Sequence, residues 1–252
     1  MILLVDAGNN SCKWAVTQQG QWLQRGRFMH EGAVTPELFA AAWSELNGVE
    51  RVVVSNVAGK GLGHALRDWV KGAWSLDVEF LTPRRRLLGV TNAYAYPQRL
   101  GADRWAAMLA AHANMDGAVC IVDCGSAITI DALGANGEHK GGLILPGLHM
   151  MRRSLVDNAH GISENVLSDA GDGAVSILAT DTQGAVAGGV LYAAVAFIER
   201  VSADLAAVIP DRLTRVITGG DAQKLLPLLN GDYMHEPDLV LQGLALYAGT
   251  RQ

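Results

Sequence analysis

Ile2-Leu3-Leu4-Val5-Asp6-Ala7-Gly8-Asn9-Asn10 and Cys120-Ile121-Val122-Asp123-Cys124-Gly125-Ser126-Ala127 share one pattern, an apolar strand running into Asp-x-Gly and then polar residues. Each copy is followed by a second apolar stretch, so each reads as a strand–turn–strand. A carboxylate at the strand end can orient a cation, and the glycine lets backbone N–H groups approach a phosphate oxygen. A duplicated turn of this kind suits two similar halves that grip the phosphates of one nucleotide. No Gly-x-x-x-x-Gly-Lys-Ser/Thr loop occurs, so the reading does not depend on a P-loop.

The pattern around the two copies extends the duplication. Ile2–Val5, Trp14–Thr17 and Trp22–Phe28 read as three strands, followed by a helix over Glu37–Leu46 with Thr35 as N-cap and Pro36 at its first position. Strand Arg51–Val54, a helix around His64–Val70 and strand Val78–Leu81 complete the order βββ-α-β-α-β. A strong helix runs from Gly101 to about Asn114. The second half repeats the opening with Val119–Val122, Ile128–Leu133 and Gly141–Leu145, then alternates helices (Pro146-Gly147 to Leu155, Gly184–Val208, Ala222–Leu229, Leu239–Ala248) with strand Arg215–Thr218. The strands are too continuously apolar for one-sided sheets, which predicts an α/β fold of mixed sheets covered by helices. Asp116-Gly117 marks the expected boundary between domains 1–116 and 117–252.

Bulk composition fits a globular chain. Of 252 residues, 50% are hydrophobic and 18% charged, with a formal charge of −5 that argues against nucleic acid or an anionic membrane as partner. Arg84-Arg85-Arg86 reads as a solvated turn after Pro83. Three cysteines make no disulfide framework, and Cys120 and Cys124 lack zinc-ligand spacing, so all three are expected to be reduced packing residues in a cytoplasmic protein. Only Met1 and the four apolar residues Ile2–Val5 precede Asp6, too few for a signal peptide, and no stretch reads as the roughly 20 residues that a membrane span needs. The six tryptophans and seven histidines look scattered and structural.

Several segments carry candidate chemistry. Asp6 to Lys13 (Asp6, Ala7, Gly8, Asn9, Asn10, Ser11, Cys12, Lys13) offers an acid, a flexible turn, small polar groups and a lysine, the set a triphosphate needs. Gly59-Lys60-Gly61-Leu62-Gly63 lacks dinucleotide spacing and reads as a βα connection. Asp103, in Gly101-Ala102-Asp103-Arg104, is either a first-turn partner of the helix dipole or an acid–base carboxylate beside an arginine that holds a substrate carboxylate. Gly141-Gly142-Leu143-Ile144-Leu145-Pro146-Gly147 contributes shape, and Thr218-Gly219-Gly220-Asp221 is either an ordinary βα loop or a platform for a flat adenosine ring.

Together these motifs resemble type III pantothenate kinase, a branch of the acetate and sugar kinase/Hsp70/actin superfamily. The resemblance runs in order through Asp6-x-Gly8-Asn9…Lys13, Tyr94-x-x-Pro97, Gly101-x-Asp103-Arg104, Asp123-x-Gly125-Ser126-Ala127 and Gly141-Gly142-x-Ile144-x-Pro146-Gly147. It implies two ribonuclease H-like domains with mixed five-stranded sheets flanked by helices, an actin-like ATPase fold with ATP in the cleft between the halves. It implies ATP-dependent phosphorylation of pantothenate, the first step toward coenzyme A, with Mg²⁺ and a monovalent cation (K⁺ or NH₄⁺). By resemblance, Asp103 is the proton acceptor, and Tyr94, Gly101, Ala102, Asp103, Arg104 and Thr182 hold pantothenate. Asp6 to Lys13 and Ser126 contact ATP, and Asp123 holds the monovalent cation. The family's homodimer agrees with the apolar helix Gly184–Val208. Asn10 replaces a commoner threonine or serine, and Ser126 a commoner threonine. A sugar-type kinase of the same superfamily and a nucleotide-dependent transcription accessory factor are the alternatives.

Overall fold

The computed structural model describes residues 1–30, 35–167 and 178–250. In chain order it opens with β1 (Ile2–Ala7), β2 (Ser11–Gln18) and β3 (Gln21–Met29), then α1 (Pro36–Trp43), β4 (Arg51–Asn56), α2 (Lys60–Trp74), β5 (Val78–Phe80), the short pair β6 (Arg86–Leu87) and β7 (Val90–Thr91), and α3 (Ala102–Asn114). The second set is β8 (Ala118–Cys124), β9 (Ala127–Leu133), β10 (His139–Pro146), α4 (Leu148–Asn158), α5 (Thr182–Val208), β11 (Leu213–Thr218), α6 (Ala222–Leu225) and β12 (Met234–His235), closed by α7 (Leu239–Gly249). The expected helix Ala222–Leu229 is shorter than its apolar pattern: α6 passes into a 3₁₀ turn at Leu226–Leu228, where Pro227 interrupts the helix.

Contacts divide the chain into two compact units. Unit 1 contains Met1–Asp116, Ala135–His139 and the chain from Asp238 onward; unit 2 contains Gly117–Gly134 and Lys140–Pro237. Relative to one cut between 116 and 117, two segments are therefore counted with unit 1. Each unit has a five-stranded mixed sheet of the same topology, β3-β2-β1-β4-β5 and β10-β9-β8-β11-β12. In unit 1 the first strand pairs antiparallel with β2 and parallel with β4; in unit 2, β8 pairs antiparallel with β9 and parallel with β11.

Unit 1 buries one sheet face against α1 and α2. Leu3, Val5 and Ala7 point there with Cys12, Trp14, Val16, Val52 and Val54. The tryptophans are less scattered than they look in sequence. Trp43, Trp69 and Trp74 join Phe28 and Phe39 in one aromatic cluster, with Phe39 stacked on Trp43 at 5.2 Å and the other pairs tilted or edge-on. Trp14 lies over Gly26 on the neighbouring strand, where a β-carbon would stand 2.7 Å from its ring. The opposite sheet face is covered by α3 and α7, which contact β4, and α7 also contacts β1. Arg51 binds Glu79 through two bonds of 2.9 and 3.1 Å and donates to the carbonyl of Ala248 at 3.0 Å, tying β4, β5 and the end of α7 together. Such a cation at a helix C-terminus also complements the helix dipole.

Unit 2 packs α5 along its sheet. Val190, Ala194 and Ile198 recur at helical spacing and join Cys120, Val122, Cys124, Ile128, Ile130 and Ile217 in one core. Asp181 caps this helix by accepting from the Gly184 N–H at 2.8 Å. The expectation that no segment reaches membrane-spanning length is corrected by α5. Its 27 residues are long and apolar enough by length and composition, with 33% of the most apolar window buried.

α3 and α7 cross closely in unit 1: a β-carbon on Gly243 would stand 1.9 Å from the Ala106 carbonyl oxygen. Gly243→Ala must force the helices apart and is expected to cost about 2 kcal/mol, lowering the melting temperature by roughly 4–8 °C. Gly72→Ala in α2, where nothing lies within 4 Å, should leave the melting temperature level or raise it. Thermal unfolding of the two variants checks the contrast.

Candidate active site

The first turn is built at the end of β1. Asp6 stands opposite Lys13 of β2 and Ser55 of β4, so these three side chains share the sheet face away from the aromatic core. The Gly8 N–H donates to Ser11 O at 3.1 Å, and a β-carbon on Gly8 would approach that same oxygen to 3.2 Å. Asn9 and Asn10 are exposed at the tip. Ala7 and Cys12 are wholly buried in the core, so of the nine residues expected at the nucleotide these two can offer no side chain to it. The turn has a support that sequence reading missed, buried His30. Its Nε2–H donates to Gly8 O at 2.8 Å, and its main-chain N–H donates to Asn10 O at 3.0 Å. A carbonyl only accepts, so Nε2 carries a proton. Only a long-range contact reveals this role.

The second acidic segment sits at the head of α3. Gly101 is the N-cap, and a β-carbon there would lie 2.5 Å from Asp103 Oδ1, so the glycine lets the carboxylate fold back over the helix start. Asp103 Oδ1 accepts from the Arg104 N–H at 2.7 Å. Arg104 is only 6% exposed; its Nη1 donates to the Tyr94 hydroxyl at 3.0 Å, and its guanidinium carbon lies 5.8 Å from the Tyr94 ring. Tyr94 is presented by a loop held by side chains. Its N–H donates to Asn92 Oδ1 at 2.9 Å, and the buried Asn92 amide donates to Pro97 O at 3.2 Å. Arg85 is more than part of a solvated turn: it donates to the carbonyls of Asn92 and Ala95 at 2.8 and 3.1 Å. The structure thus brings Tyr94, Gly101, Ala102, Asp103 and Arg104 together within unit 1.

Unit 2 carries the other predicted residues. Asp123 at the end of β8 stands opposite Thr129 of β9 and Thr218 of β11, on one sheet face. Three backbone turns meet beside it. The Gly125 N–H donates to Ala127 O at 3.0 Å, the Gly147 N–H to Ser126 O at 3.0 Å, and the Asp221 N–H to Cys124 O at 2.9 Å. A β-carbon on Gly147 would stand 2.3 Å from Gly125 O, and one on Gly219 (φ +96°) 2.4 Å from the Cys124 backbone. The glycines of both late motifs are therefore fixed by close approach of main chain. Thr182, the first residue of α5, lines a cavity of about 860 Å³ whose walls include Pro146, Met151, Leu155, Val186 and Val190.

Among the described residues, no group of three or more His, Cys, Asp or Glu could hold a metal ion. The three cysteines are free and buried, matching their reading as packing residues. Burial pushes the Cys12 thiol up to about 12 and Cys120 to about 11, and it also raises Cys124, next to Asp123. At pH 8 a thiol with a pKa near 12 is ionised in only about one molecule in 10⁴. The native protein is therefore expected to resist iodoacetamide at pH 8 and to take up label at all three positions once denatured, as read by mass spectrometry.

Two units of one topology, each ending its central strand in Asp-x-Gly, define the class as an actin-like ATPase fold of mixed sheets flanked by helices. Solved structures share it. A Baf-family transcriptional activator protein from Campylobacter jejuni superposes with a TM-score of 0.61 at 22% identity, covering 98% of both chains. A ROK-family glucokinase from Streptomyces griseus, solved with glucose and AMPPNP, gives 0.54 at 13% identity over 99% of both. The sequence matches the type III pantothenate kinase family over residues 2–204. A protein of that name from Nitrosococcus oceani is 46% identical over 98% of this chain and 94% of its own length, and one from Halorhodospira halophila is 36% identical over 97% and 96%. The chain belongs to the type III pantothenate kinase family.

Proposed function

We propose that the protein transfers the γ-phosphoryl group of ATP to the primary hydroxyl of pantothenate, giving 4′-phosphopantothenate and ADP in the first step of coenzyme A synthesis. The observation that carries this reading is the group at the head of α3, where a buried, oriented guanidinium adjoins a half-buried carboxylate. Burial of a charged arginine is costly unless it is paired and hydrogen-bonded, and a planar guanidinium matches a carboxylate such as that of pantothenate. Arg104, steadied by Tyr94, fixes the acceptor. Asp103 takes the hydroxyl proton as the new O–P bond forms and the bond from the γ-phosphorus to ADP breaks. Such a transfer asks mainly for positioning and charge stabilisation.

The Asp6–Lys13 turn supplies main-chain N–H groups, the Asn9, Asn10 and Ser11 side chains and Lys13 to the triphosphate, and Ser126 adds a hydroxyl. Magnesium commonly binds through one or two carboxylates plus substrate phosphates, so the lack of a protein cage among the described residues fits an ion carried by ATP with Asp6 beside it. There it would neutralise charge on the phosphates. Asp123 with Thr129 and Thr218 offers hard oxygen donors that suit K⁺, and NH₄⁺ as a donor of hydrogen bonds. Thr182, in the wall of the cavity beside α5, is assigned to pantothenate. The outward face of α5, with Tyr192 half exposed and Ala193 and Ala196 beside it, supports a homodimer. The three free cysteines support a cytoplasmic enzyme, and the net charge of −5 one without nucleic acid or membrane partners.

Asp103→Asn is expected to lower kcat by at least about a hundredfold while leaving the circular dichroism and melting temperature near wild type. A coupled assay with pantothenate against a panel of sugars tests the acceptor, and near-normal turnover of the variant would remove Asp103 from its role. Asp123→Ala should abolish the stimulation by K⁺ or NH₄⁺ in the same assay. Ala196→Glu is expected to halve the sedimenting mass.

A further inference from the structure

We infer that His139 is a positioning residue for the acceptor: it holds the Tyr94 ring, and through it the guanidinium of Arg104. The inference rests on the pantothenate reading above and assigns a role to a residue that no motif singled out.

His139 reaches this place because the chain between β9 and β10 returns to unit 1 over Ala135–His139. The return is seated by main chain. The Thr91 N–H donates to Gly137 O at 2.9 Å, and Thr91 forms a parallel bridge with Glu138. Gly137 has φ +75°, and a β-carbon there would lie 2.4 Å from Gly89 O and 2.9 Å from the His112 ring, so the segment sits flush only with glycine at that position. The next residue but one is then 2% exposed, and its imidazole stacks on Tyr94 with centroids 6.1 Å apart and planes 16° from parallel. His139 Nδ1 accepts from the Ala93 N–H at 3.5 Å. In the neutral ring this leaves the proton on Nε2.

Two consecutive N–H groups of the acceptor loop, at Ala93 and Tyr94, are thus satisfied by the buried side chains of His139 and Asn92 and not by secondary structure. Tyr94 is held from two directions, its ring against His139 and its hydroxyl against Arg104. A buried imidazole at the first residue of β10 is not needed by the sheet, where an apolar side chain would serve at lower desolvation cost. Its stack is directed at the tyrosine that steadies Arg104, and its hydrogen bond at the residue before that tyrosine in the same loop.

The test is steady-state kinetics of the wild type, His139→Ala, His139→Phe and His139→Asn. It is paired with NMR of ¹³C-tyrosine-labelled protein in which Tyr94 is assigned through Tyr94→Phe. Loss of a stack and a hydrogen bond predicts that His139→Ala raises KM for pantothenate about tenfold, with KM for ATP and kcat within about threefold of wild type. His139→Phe, which keeps a ring, and His139→Asn, which keeps an acceptor, should each recover part of the loss. The Tyr94 ring signal should shift in His139→Ala and return toward wild type in His139→Phe. An unchanged KM for pantothenate, or equal rises in both KM values, overturns the inference. If the wild type does not phosphorylate pantothenate, the proposed function fails, and the Tyr94 signal alone then decides whether His139 holds that ring: an unmoved signal refutes it.

Discussion

The register of the parallel ladder in each sheet is the constraint from which the assigned residues hang. Pairing of β1 with β4 sets Asp6 opposite Ser55, and pairing of β8 with β11 sets Asp123 opposite Thr218. Side chains alternate between faces, so a slip of one residue would turn Asp6 into the aromatic core and bring Ala7 out in its place. That slip is opposed by Leu3, Val5 and Ala7, all wholly buried, and by Trp14 resting on Gly26. Such a slip would bury the Asp6 carboxylate among apolar side chains, which costs far more than a turn motif could recover. The core therefore fixes the position of the carboxylate, and the polar residues follow.

The group at the head of α3 depends on a different balance. Arg104 is charged and almost fully withdrawn from water, which is tolerated only where hydrogen bonds and neighbouring charge compensate. Tyr94 supplies a hydroxyl at 3.0 Å, and the loop that carries Tyr94 is itself held by Asn92 and Arg85. A solvated arginine would sample many rotamers; this one is held by burial and by the Tyr94 hydroxyl, so binding loses less side-chain entropy. The glycine at 101 belongs to the same arrangement, because a side chain there would collide with the Asp103 carboxylate.

Most of the fold was legible because its signals are local. Alternating and continuous apolar runs located the long strands, Thr35-Pro36 marked the start of α1, and the two Asp-x-Gly turns exposed the duplication before any pairing was known. What escaped reading depends on contacts far apart in sequence. Nothing near Gly243 announces that it meets Ala106, and nothing around His30 says that its imidazole closes a turn made by Gly8. Arg85 looked like one of three solvated arginines because its acceptors, the carbonyls of Asn92 and Ala95, carry no sequence signature. Two-residue strands such as β6 and β7 are too short to show a period, and their pairing follows from Leu88 and Gly89 adopting positive φ.

The two copies of the turn have diverged in a chemically consistent way. Opposite Asp6 stands Lys13, whereas opposite Asp123 stands Thr129. The register also leaves the first turn one residue longer, between Ala7 and Cys12, than the second, between Cys124 and Ile128. A long turn with a lysine beside its acid presents donors and positive charge, which favours phosphate oxygens. A short turn with hydroxyls beside its acid presents oxygen acceptors, which favours a cation. Since both carboxylates end the central strand of a sheet with identical strand order, the difference in ligand proposed above would not come from the scaffold. On the proposed assignment it would come from turn length and from the residue placed across from each carboxylate, a lysine that would face phosphate or a threonine that would leave oxygen acceptors for a cation.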